Sequence, residues 1–75
     1  MSSLKNQINP HKLLLSKWTA VKPVHKEKHF IVVKVNRDEQ EVISTCILEA
    51  VINKRELEID WHNLQDNQVW MTGWQ

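Results

Sequence analysis

His29-Phe30-Ile31-Val32-Val33-Lys34-Val35 is the stretch on which the fold turns. Five of its seven residues are β-branched or aromatic, the types that suit a pleated, half-buried surface. Side chains alternate along a strand. Ile31, Val33 and Val35 are therefore assigned to one face, and Phe30, Val32 and Lys34 to the other. The polar run Asn36-Arg37-Asp38-Glu39-Gln40 follows at hairpin length. Residues 41–52 fit two patterns. As a helix, Ile43, Ile47, Ala50 and Val51 form one stripe. As a strand, Val42, Ser44, Cys46, Leu48, Ala50 and Ile52 share a face. Six β-branched residues and a place between two stronger strands favour the strand.

Working outward, Glu56-Leu57-Glu58-Ile59-Asp60-Trp61 alternates strictly. It reads as a strand with Leu57, Ile59 and Trp61 inward and an acidic face in water. Asn53-Lys54 is the turn before it. Residues 62–67 are polar around Leu64 and suit a short 3₁₀ turn. Residues 68–74 close the chain as a last strand, with Trp70, Thr72 and Trp74 on one face and Val69 and Met71 on the other. Upstream, Lys17-Trp18-Thr19-Ala20-Val21 reads as a strand that Pro23 ends, followed by a charged connection over residues 24–28. Pro10 starts a short helical turn. Residues 1–9 are polar and unpatterned, and are expected to be a flexible N-terminal tail to a single β domain at 10–75. The fold class is all-β. The expected architecture is a small, strongly curved antiparallel sheet or open SH3-like barrel of about five strands with one short 3₁₀ turn.

Composition bounds the function. The chain has 75 residues, of which 41% are apolar and 25% charged. That is one globular domain, too short for a deep, enclosed active site. One cysteine makes no internal disulfide, which points to a reducing, cytoplasmic setting. No apolar run approaches the ~18 residues of a membrane span.

The residues also carry a resemblance. The stretch Asn9-Pro10-x-Lys12-Leu13-Leu14-x-Ser16-Lys17-Trp18-Thr19-Ala20-Val21 is one part of it. Glu27-Lys28-His29-Phe30, Leu48-Glu49-Ala50-Val51, Ile59-Asp60-Trp61 and Trp70-x-x-Gly73-Trp74 are the others. From Asn9 onward the chain resembles a family of small tryptophan-rich bacterial proteins of unknown function. The resemblance implies a bacterial, stand-alone domain and assigns no site residue.

The formal net charge of +1 hides a division. Residues 1–37 hold eight basic side chains against the single acid Glu27, a formal +7. Residues 38–75 hold Lys54 and Arg55 against eight acids, a formal −6. Either the halves neutralise each other on folding or they mark a binding surface. Lys12, Lys17, Lys22, Lys26, Lys28 and Lys34 surround Trp18 and Phe30. Cations that track phosphates beside rings that stack on bases are the ingredients of RNA or single-stranded DNA binding. Against this, a dedicated binder usually has a pI above ~9. The alternative is a protein-interaction module using an exposed Trp70 and Trp74 patch or a sheet edge.

Other chemistry is weaker. His25 and His29 are four apart, with Cys46 and His62 also present, but zinc wants four ligands in close pairs, so no metal or other cofactor is assigned. Cys46 sits mid-strand among small and apolar residues, where a thiol is a buried hydrophobe rather than a nucleophile. Glu56, Glu58 and Asp60 form a solvated face rather than a catalytic pair. The chain is read as a non-enzymatic binding module.

Overall fold

Five short strands follow from the turn chemistry between them. The computed structural model describes residues 5–75. β1 (Lys17–Val24) and β2 (Glu27–Arg37) are joined by only His25 and Lys26. Both have positive φ, 56° and 64°, the pattern of a type I′ turn whose twist matches a hairpin. The connection expected over 24–28 is thus two residues long, and His29 lies in β2. At the next turn Asp38 accepts hydrogen bonds from the backbone N–H of Gln40 and Val42 (2.8 and 3.0 Å). β3 (Ile43–Ala50) follows as a strand, as its β-branched content predicts. The Asn53 side chain accepts from the Arg55 N–H at 2.9 Å to shape the turn into β4 (Glu56–Asp60). Asp60 accepts from the His62 N–H and opens a 3₁₀ turn, Trp61–Gln65, before β5 (Trp70–Thr72). A second 3₁₀ turn, Pro10–Lys12, is capped by Asn9.

The strands form one antiparallel sheet in the order β4-β3-β2-β1-β5, and it does not close. One face is covered. Trp18, Phe30, Val32, Cys46, Leu48, Ala50 and Trp70 project from the strands, with Leu13, Ile43 and Leu64 completing the buried cluster. The Trp70 ring meets Phe30 edge-on, with centroids 5.2 Å apart. Asn6 secures this layer: its side chain donates to the carbonyls of Leu64 and Trp70, both at 2.8 Å. Ile8 packs against the same core. Residues 5–9 are therefore part of the domain rather than tail. The rest of the expected tail, residues 1–4, lies outside the described residues.

Bulges change the expected faces. Val32 pairs with Leu48, but Lys34 pairs with Ile47 and Val35 with Cys46. Val33 is the extra residue, so Val35 joins Val32 over the core and Lys34 turns to the other side. A second irregularity at Asn36 and Arg37 buries Ile43 and leaves Val42 exposed. Pro23 does not end β1. It sits in an irregular stretch between Thr19 and Val24, where a missing N–H is tolerated. Trp61 begins the 3₁₀ turn, half-buried, and donates to the Ile43 carbonyl at 3.2 Å.

One ion pair joins the two charged halves. Glu27 is 3% exposed. Its carboxylate takes a two-pronged contact from Arg55, including Nε at 2.6 Å, and a further N–H from Asn53 at 2.8 Å. The hydrogen bonds from Arg55, then that from Asn53, hold its pKa down to about 2 from an ordinary 4.5. The contact ties the turn end of the β1–β2 hairpin to the turn before β4.

Two outcomes follow from this architecture. A carboxylate with a depressed pKa stabilises the fold above its unfolded pKa, and that contribution drains as pH falls. Thermal melts should therefore drop as pH falls from 4.5 towards 2, and Glu27→Gln should melt lower at neutral pH with a shallower acid decline. The His25-Lys26 turn carries left-handed strain that Asn-Gly would not. His25→Asn with Lys26→Gly should add about 1 kcal/mol in denaturant unfolding.

Candidate functional site

The sheet distributes the basic side chains over two surfaces. Lys22, His25, Lys26 and Lys28 gather at the distal end of the β1–β2 hairpin, all exposed. The two-residue turn makes this compact, because it brings Lys22 and Lys28 to neighbouring strands on either side of Lys26. Glu27 is the only acid in this segment, and it is turned inward onto Arg55. Among the described residues, no basic side chain from 5 to 37 takes part in an ion pair. The one ion pair between the halves among these residues, Glu27–Arg55, joins the minority charge of each, so it does not offset the basic excess of one with the acidic excess of the other. The ion pair of Lys54 with Glu49 and the hydrogen bond between the His62 ring and Asp60 lie within the acidic half.

The second surface is the uncovered sheet face. Lys17 and His29 alternate with Trp18 and Phe30, so they project away from the core. Gly73, at φ 74°, turns the chain end so that Trp74 lies on this face. Its ring has the Lys17 ammonium 4.7 Å from its centroid and the His29 ring at 5.8 Å. The indole N–H donates to the Phe30 carbonyl at 3.0 Å. Thr19 holds the terminus down by donating to the Gly73 carbonyl and accepting from the Gln75 N–H, at 2.7 and 2.9 Å. Lys34 shares the face through its bulge. Lys12 stands apart on the first 3₁₀ turn, at a cleft of about 480 Å3 that Ile8, Leu13 and Lys17 also line.

The aromatic half of the expected site is not on either surface. Trp18 is 3% and Phe30 4% exposed, so neither offers a ring to a base. Trp18 spends its N–H on the Ser16 hydroxyl at 2.8 Å. Trp70 is 7% exposed and shares no patch with Trp74, because Gly73 sends the two rings to opposite faces. Trp74, at 44%, is the one strongly exposed indole among the described residues. Strand alternation could not show this, since it assumes that regular backbone continues through Gly73.

The remaining chemistry is modest. A cleft of about 250 Å3 opens beside the hairpin, lined by Lys22, Val24, Trp70 and the Glu27–Arg55 pair. Both of those charges are already committed to each other. Burial, then the charge of Asp60, pushes the Cys46 thiol up to about 11, which keeps it protonated at neutral pH. Asp60 is held below its usual value by the His62 backbone N–H and side chain. Among the described residues no three His, Cys, Asp or Glu side chains converge. Nor is any helix among them long and apolar enough to cross a membrane.

No curated protein and no solved structure matches the chain. A family model described as "Tryptophan-rich protein" matches residues 16–75, from the residue that holds the Trp18 indole to the C-terminal Gln75. That span includes all four tryptophans and every strand of the sheet. The chain belongs to the tryptophan-rich protein family DUF2389, whose function is unknown.

Proposed function

We propose that this protein is a non-enzymatic binding module that holds the phosphate backbone of RNA or single-stranded DNA on the distal end of the β1–β2 hairpin. The observation that carries this reading is the withdrawal of Glu27 into its contact with Arg55. It leaves Lys22, Lys26 and Lys28 exposed beside His25 with no acid of the segment among them. Ammonium groups recognise phosphate by charge and need no ring, so the loss of Trp18 and Phe30 as stacking faces removes base contact but not backbone contact. A flexible single strand bends its phosphates around so narrow a tip. A duplex, stiff over ~50 nm, presents them along a straight line. In this reading the open meander is an SH3-like platform that works in the cytoplasm, in keeping with a lone buried thiol.

A second reading, a protein-interaction surface, is favoured by one observation: Trp74 stands exposed on the sheet face opposite the core.

The first reading is tested by titrating a labelled mixed-sequence single strand at several salt concentrations. Three phosphate contacts predict a slope of log affinity against log salt of about −2. Lys26→Glu with Lys28→Glu should abolish binding, and a duplex of equal length should bind more weakly. Absence of any shift at low salt, or unchanged affinity in the double variant, overturns the reading.

A further inference from the structure

Directly paired residues of antiparallel strands project to the same side of a sheet. On the uncovered face one row from β1 to β4 runs Lys17, Ile31, Glu49, Glu56. The next runs Lys34, Ile47, Glu58 from β2 to β4, and a third runs Asn36, Thr45, Asp60. The face is therefore cationic on β1 and β2, apolar at Ile31 and Ile47, and anionic along β3 and β4. Lys17 and Glu49 are two strand spacings apart, as are Lys34 and Glu58. That is roughly 10 Å between backbones, and among the described residues no ion pair joins them within one copy. Lys54 partners Glu49 and His62 partners Asp60, while Glu58 accepts only from Asn36 and Thr45. Glu56 has no ion pair among the described residues.

We propose that this face binds a second copy of the same chain. A two-fold axis lying in the contact plane and parallel to the strands sets β1 and β2 of one copy against β4 and β3 of the other. Each cationic half then meets an anionic half, and the complementary contact forms twice. An axis across the strands would instead set acid on acid. Ile31 and Ile47 come to the middle, where apolar surface gains most from exclusion of water. Trp74, already fixed by its bond to Phe30 and by Lys17, meets the partner as a rigid ring with little freedom left to lose. Four strands wide and six or seven residues long, the footprint is about 20 by 20 Å, which is the size of a weak, transient contact. The dimer is therefore concentration-dependent and held largely by charge, which salt weakens. Lys22, Lys26 and Lys28 lie at the strand ends, outside this contact.

Sedimentation equilibrium of the full chain tests the proposal. The wild type should show a reversible monomer–dimer equilibrium that moves towards monomer at high salt. Lys17→Glu with Lys34→Glu, and separately Glu56→Lys with Glu58→Lys, should each weaken dimerisation by about tenfold or more. An equimolar mixture of the two variants should dimerise again, which also shows that both remain folded. Lys26→Glu with Lys28→Glu should dimerise as the wild type does, so failure here is distinguishable from failure of the hairpin reading. A wild type that stays monomeric at every concentration overturns the proposal. So does a dimer that the charge reversals leave intact, or a mixture that fails to associate.

Discussion

A five-stranded sheet has two faces, and this chain has apolar side chains enough to cover one. Leu13 and Leu64, carried on the segments before β1 and after β4, close over Trp18, Phe30, Val32, Leu48 and Trp70. On the other side, among the described residues, only the C-terminal Gly73–Gln75 segment lies over the sheet, above Thr19. The chain's longest extents are 36 Å in two directions and 16 Å in the third, a slab. The placement of charge follows from that one-sidedness. Polar and ionic residues on the covered face would be desolvated at a cost. Lys17, Lys34, Glu49, Glu56 and Glu58 accordingly sit on the bare face, where the strand order sorts them by sign.

Glu27 is the exception, and its burial is offset in kind. Three donors from Arg55 and Asn53 replace the water it gives up. The contact also closes the side of the molecule where β1 leaves its ladder with β2. It removes the one negative charge from a hairpin tip that is otherwise cationic. A structural requirement and an electrostatic consequence thus come from a single side chain.

Much of this was legible in the residues. β-branched content placed β3 as a strand, and strict alternation placed Leu57 and Ile59 inward on β4 with Glu56 and Glu58 outward. The failures share one cause. Alternation carries a face assignment forward only while the backbone stays regular, and here Val33, Ser44 and Gly73 each break the count. The bulge at Val33 exchanges the faces of Lys34 and Val35, and Gly73 parts Trp74 from Trp70. The sequence split of charge at Arg37 was visible, but its conversion into rows across one face needed the register. The partner of Glu27 was not visible, since nothing in the composition links it to Arg55. For the aromatic residues, richness in tryptophan proves to be mainly a core requirement: Trp18 and Trp70 are buried and Trp61 is half-buried.

The core covers one face of the sheet, and Trp74 alone among the tryptophans stands on the opposite face, beside Lys17 and His29. Collisional quenching of tryptophan emission, at concentrations low enough to keep the chain monomeric, tests this directly. Iodide should quench more of the emission than caesium, because the exposed ring lies beside cations, and Trp74→Phe should remove most of the iodide-accessible fraction. An accessible fraction unchanged by Trp74→Phe, or one lost instead with Trp18→Phe or Trp70→Phe, would contradict the account.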